Sequence, residues 1–93
     1  MKTVDGLHLA PNDSVVVLLG DAERGDSVRY GDGEVVALMA VPTGHKVAVA
    51  PVPAGGVVLK YGEPIGVATA RIAPGEHVHV HNLQSARARG SAA

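Results

Sequence analysis

Glycine and proline cut this chain into pieces too short for anything but a much-folded sheet. Twelve Gly and six Pro stand among its 93 residues. Glycine admits positive φ without steric cost, and proline removes a backbone donor, so both favour tight turns over long strands. Between them lie short Val-rich runs. They are residues 15–19, closed by Gly20-Asp21; 34–41, closed by Pro42-Thr43-Gly44; 46–50, closed by the segment 51–56; 57–59; 65–72, ended by Ala73-Pro74-Gly75; and 77–81. None carries a convincing helical spacing of apolar residues. The pattern predicts an all-β domain of short strands and tight turns, with prolines kept out of its central strands. Two turns, Pro53-Ala54-Gly55 and Ala73-Pro74-Gly75, are alike, and each precedes a β-rich segment.

A chain of this length makes one domain. It has no Phe and no Trp, and its only aromatic residues besides histidine are Tyr30 and Tyr61, so Val, Ala, Leu and Ile must build the core. So small a core gains from a partner surface, which leads us to expect a partner chain or a homo-oligomer. Tyr61 is expected to supply packing that the aliphatic residues lack. There is no cysteine, which excludes disulfides and thiolate metal sites. No apolar run has the roughly 18–20 residues of a membrane span, and residues 1–6 lack the apolar stretch of a signal peptide. A cytoplasmic protein is expected. Nine acids against eight bases give a net charge of −1, which is not a nucleic-acid footprint. The basic residues Arg87 and Arg89 fall in a polar terminus, so the sequence divides into a domain over residues 1–83 and a flexible tail over 84–93. The polar segment 21–34 reads as an exposed loop or hairpin, with a lid or partner contact as its functional alternative.

The run His77-Val78-His79-Val80-His81 alternates strictly. On a strand this puts three histidines on one face and two valines on the other, with the valines toward the core. Same-face neighbours lie about 6.6–6.8 Å apart, so His77 and His81 would be about 13 Å apart. Neighbouring pairs can share one metal ion, but all three on a regular strand cannot. His45, in Gly44-His45-Lys46, is the candidate for a further ligand. Lys46 beside it is a cation suited to a carboxylate. Lys60, in Lys60-Tyr61-Gly62-Glu63, is a weaker candidate of the same kind. His8 reads as a structural histidine.

Taken together, Gly44-His45-Lys46-Val47-Ala48, Pro53-Ala54-Gly55, Lys60-Tyr61-Gly62, Ile65-Gly66, Ala68-Thr69-Ala70 and Pro74-Gly75-Glu76-His77-Val78-His79-Val80-His81-Asn82 resemble the SAF domain of the altronate dehydratase family. The resemblance covers most of residues 7–83. It implies a β-clip fold of the kind also found in sialic acid synthases and type III antifreeze proteins. It implies a lyase that removes water, or in one branch sulfite, from a hydroxy acid by α-proton abstraction and β-elimination. It further implies a divalent metal, Fe2+ or Mn2+, in the complete enzyme, and a large catalytic subunit on a separate chain, as in the two-subunit sulfolactate sulfo-lyase. The residues it marks are His45, His77, His79 and His81 for catalysis, and Lys46, Asn82 and Lys60 for substrate binding. The alternatives are a non-catalytic, carbohydrate-binding or accessory SAF module and a stand-alone metal-binding protein.

Overall fold

The computed structural model describes residues 1–85, and among them there are nine strands and no helix. They are β1 (Thr3–Leu7), β2 (Val15–Leu18), β3 (Ser27–Tyr30), β4 (Gly33–Val36), β5 (Lys46–Ala48), β6 (Val57–Lys60), β7 (Glu63–Ala68), β8 (His77–Val78) and β9 (Leu83–Ser85). Six of them form a curled sheet in the order β4-β3-β1-β2-β5-β8, and β6-β7-β9 form a second sheet. All pairings are antiparallel except β1 with β3. This is the expected all-β, SAF-like domain. No described helix is long and apolar enough to cross a membrane.

Four turns of one construction shape the chain. Residues 22–26, 41–45, 52–56 and 72–76 each put a glycine with φ of 81–93° in fourth place. In each, the fifth residue's N–H donates to the second residue's carbonyl at 2.8–3.1 Å. Their first residues, Ala22, Val41, Val52 and Ile72, are all buried, and they bridge in pairs, Ala22 with Val41 and Val52 with Ile72. At Gly75 the glycine is needed twice over: φ is positive, and a Cβ would run into the carbonyl oxygen of Val36.

The core is split in two by strand alternation. Val16 and Val47 point into a cluster with Val4, Leu18, Val28 and Val41. Their neighbours Val15 and Ala48 point the other way, into a cluster with Val58, Ile72 and Val78. Strands β2 and β5 are thus the shared wall of both clusters, because successive side chains leave opposite faces.

Several expectations change. The polar segment 21–34 holds a hairpin, β3–β4, but not a wholly exposed one: Val28 is fully buried, and β3 pairs in parallel with β1, a strand the apolar runs did not show. Proline does occur in a central strand, since Pro64 lies in β7. It is tolerated because β9 pairs only with residues 66–68 of β7, and β6 meets Pro64 across an irregularity in register. Tyr61 is not core packing; it is 38% exposed. β9 carries the sheet past Leu83 to Ser85. The remainder of the expected tail, including Arg87 and Arg89, lies outside the described residues.

Carboxylates hold loop ends together. Asp26 accepts from the N–H groups of Glu23 and Lys2 at 2.8 and 3.0 Å, and Asp21 accepts from the N–H and hydroxyl of Thr43, both at 2.8 Å. These donors favour the ionised forms and lower both carboxyls from their ordinary value of 3.8. A lowered folded pKa adds stability that is complete above the unfolded value and disappears as the pH falls through the folded one. Chemical denaturation followed from pH 7 downward is therefore expected to show a steady loss of stability beginning near pH 4. The variant Asp26→Asn should flatten that slope, and an unchanged slope would show that Asp26 does not contribute.

Candidate functional site

The turn repeat explains why one side chain is free for chemistry. In the turns at 22–26 and 72–76, the fifth residue is acidic and its carboxylate closes the turn. Asp26 accepts from Glu23 N–H, and Glu76 accepts from Ala73 N–H at 3.0 Å. In the other two turns the second residue is a proline, Pro42 or Pro53, with no N–H to satisfy. The fifth residue there is Gly56 or His45. The His45 imidazole has no turn to close, and it reaches across to β8 instead. Its Nδ1 lies 2.9 Å from Nε2 of His77, a hydrogen bond between residues 32 positions apart.

The histidine run does not continue as a strand beyond Val78. Asn82 bends it back. Its side-chain oxygen accepts from His79 N–H at 3.0 Å, its amide donates to the His77 carbonyl at 2.9 Å, and its backbone N–H donates to the His79 carbonyl. Alternation therefore ends early. Val78 is buried as expected, but Val80 is 81% exposed and not part of the core. The bend also overturns the expected separation of about 13 Å between His77 and His81, whose ring centroids lie 5.5 Å apart. Asn82 itself is buried, with both ends of its carboxamide engaged within the bend.

The result is a cluster of four imidazoles. His79 stacks on His45 at 4.7 Å and on His77 at 5.5 Å between centroids. One nitrogen from each of His45, His77 and His79 falls within 4.8 Å of the others, close enough to make the three candidate ligands of one ion. Burial lowers the pKa of His77 first, and the neighbouring His45, His81, His79 and Lys46 lower it further. The ring is thereby kept in the neutral form that a metal ligand requires. His81 lies at the exposed side of the cluster, outside this set of three.

Lys46, half-buried, enters β5 directly after His45 and pairs with Val78, next to His77. Burial, with the nearby Lys60 charge, holds its ammonium below the ordinary lysine value. Lys60 rests 5.1 Å above the Tyr61 ring. His8 is apart from the site. It contacts the Asp13 carbonyl at 3.3 Å and meets Tyr30 edge-on, as a structural histidine would. Three residues near these groups were not singled out from sequence: Met39, whose sulfur accepts from His77 N–H at 3.1 Å; Glu76, which also approaches the Asn82 amide; and Asp13, which organises the Lys60–Gly62 turn.

The arrangement matches a known domain. The altronate/galactarate dehydratase SAF domain corresponds to residues 4–86. The chain belongs to this family. It is 42% identical over 73 residues to altronate dehydratase of Escherichia coli, covering 78% of this SAF chain but 15% of that protein. It is 32% identical over 85 residues to altronate dehydratase of Bacillus subtilis, covering 91% of this chain and 17% of that one. With the (2R)-sulfolactate sulfo-lyase subunit alpha of Paracoccus pantotrophus it shares 41% identity over 56 residues, which is 60% of this chain and 84% of the subunit. The chain thus spans about one sixth of the dehydratases it matches, but most of the sulfo-lyase subunit.

Proposed function

We propose that this SAF domain forms half of the active site of a lyase that eliminates water, or another β-substituent, from a small hydroxy acid, with a larger catalytic part forming the other half. The observation that carries the reading is the convergence of His45, from one turn of the repeat, with His77 and His79, from the strand and bend that follow another. Their nitrogens fit a divalent ion, and of the two ions expected, iron suits an all-imidazole donor set better than manganese. When bound, such an ion supplies a Lewis acid that stabilises charge on the substrate carboxylate as the α-proton leaves.

The chain's own residues do the rest. Asn82 fixes the bend that aims His79 at His45, and Glu76 closes the turn that presents His77. Lys46 places a cation beside the cluster to neutralise substrate charge. His81, exposed and outside the set of three, stands where it can hand a proton to a departing hydroxyl or take one from carbon. The half-open cluster leaves a face for the larger part to cover and dry.

The test is reconstitution. The chain should be co-expressed with the large catalytic part of a dehydratase of this family and screened against sugar acids and sulfolactate for keto-acid or sulfite release. Activity in the pair, and in neither part alone, is expected. A stable pair that turns over none of these acids, or activity in the large part unaffected by this chain, would reduce the SAF domain to an accessory module.

A further inference from the structure

We propose that Met39 is a positioning residue of the histidine site: its sulfur, by accepting from the His77 N–H, holds the edge of β8 so that the His77 ring stays against His45. The effect on metal binding rests on His45, His77 and His79 being ligands; the positioning of His77 does not.

The sheet creates the need for such a group. β8 is an edge strand, with β5 on one side and no strand on the other. The Glu76 carbonyl turns inward and accepts from Ala48 N–H at 3.0 Å. Successive residues of an antiparallel strand direct their main-chain groups to opposite sides, so His77 presents its N–H and carbonyl to the open edge. A half-buried N–H there still requires an acceptor. Side chains meet both groups. The Asn82 amide donates to the carbonyl at 2.9 Å, and the Met39 sulfur accepts from the N–H at 3.1 Å.

Met39 is brought there from the other edge of the same sheet. β4 stands at the far end of the six-stranded order. The chain leaving it runs along the start of β8. Leu38 N–H donates to the Gly75 carbonyl at 2.9 Å, and Gly75 lies so near Val36 and Leu38 that a Cβ would strike both. The same segment then enters the turn at 41–45 that ends in His45. Two contacts thus join it to His77: Met39 at the main chain, 38 positions away, and His45 at the ring, 32 positions away. An imidazole anchored at both its main chain and Nε2 keeps one orientation, as a metal ligand must. Packing does not account for Met39, which belongs to neither apolar cluster of the described residues. A thioether is a weak acceptor. An amide oxygen on a side chain of similar length can replace it, and an aliphatic side chain cannot.

The experiment compares M39L with M39Q in the full chain. Leucine keeps the apolar bulk without an acceptor; glutamine keeps the length and supplies one. Amide hydrogen exchange at His77 is followed by NMR, and Zn2+ affinity by calorimetric titration. In M39L the His77 amide is expected to exchange about fivefold faster than in the native chain, and Zn2+ to bind about tenfold more weakly. In M39Q both should stay within about twofold of native. A packing role gives the reverse order, with M39L native-like and M39Q impaired. Native exchange and native Zn2+ affinity in M39L, or M39Q as impaired as M39L, would overturn the assignment. If M39L does not fold, M39Q decides: exchange within about twofold of native upholds the assignment, and exchange about fivefold faster overturns it. If the native chain does not bind Zn2+, the three-histidine metal reading fails, and exchange at His77 alone decides the positioning.

Discussion

Replacing His45 with alanine is expected to weaken divalent-metal binding by the chain at least about 100-fold, and to lower turnover of the assembled lyase by a similar factor. The expectation follows from geometry. His77 and His79 come from one bend, while His45 is the only donor of the three from the other turn, so its loss leaves two nitrogens. His45→Ala should fold normally, because no main-chain group depends on its imidazole: Pro42 offers no N–H, and the turn is closed by backbone alone. The control is His81→Ala. It removes an imidazole from the same cluster but not from the set of three, and metal affinity should stay within about threefold of native, well short of the loss from removing a ligand. Metal affinity is read by calorimetric titration with Mn2+ and Zn2+, and turnover by keto-acid release. Native metal affinity in His45→Ala would remove the three-histidine site, whatever the turnover. Lost turnover with full metal affinity in His81→Ala would instead assign that ring to proton transfer.

The sequence showed which side chains the fold gathers more clearly than it showed the shape they take. The alternating histidines and Gly44-His45-Lys46 do come together, and strand geometry pointed to His45 as the partner from outside the run. The error was to extend the strand through His81. Strict alternation is a local signal, and it contains nothing about Asn82 turning its carboxamide back onto His77 and His79. The fold class was readable for a similar reason. Gly and Pro spacing reports turns directly, and four turns of one design generate most of the architecture. β3 was hidden because its apolar content is little more than Val28, and a strand with charged neighbours looks like a loop until its partner β1 is known. The repeat itself was only half visible, as two similar turns. Aligning all four would have shown proline in the second place wherever the fifth residue is not acidic, and so singled out His45 as a side chain with no structural duty.

Asp13 is the residue that sequence reading had least chance of weighing, and its removal should cost the fold most. It appears only as part of a turn, Pro11-Asn12-Asp13-Ser14, yet two of its partners lie 48 and 49 residues away. Asp13 is 4% exposed, and its carboxylate accepts three backbone N–H groups, from Ala10 at 3.2 Å, Tyr61 at 2.8 Å and Gly62 at 2.7 Å. Burial alone would raise its pKa; the bonds from Gly62, Tyr61 and Ala10, with the charge of His8, outweigh it and lower the carboxyl from 3.8. In Asp13→Ala these donors lose an acceptor that is itself buried in the folded chain. A cost of about 1–3 kcal/mol for each unsatisfied buried group suggests a total of roughly 3–5 kcal/mol. That is a large share of the 5–15 kcal/mol typical of a domain, and at about 4–8 °C per kcal/mol it lowers the melting midpoint by roughly 15 °C or more. Asp13→Asn should recover only part of the loss, since its NH2 group would face an N–H that needs an acceptor. The same substitution removes the charge whose contribution fades below pH 4, so denaturation midpoints of Asp13→Asn should fall less steeply with acid than those of the native chain. The consequence also reaches the site. Tyr61 holds its left-handed backbone against this carboxylate, and Lys60 rests on the Tyr61 ring, so Asp13→Ala should also loosen the Lys60 turn. A melting midpoint within about 2 °C of native would show that the three bonds are replaced by water at little cost, and that the clamp on the Lys60 turn lies elsewhere.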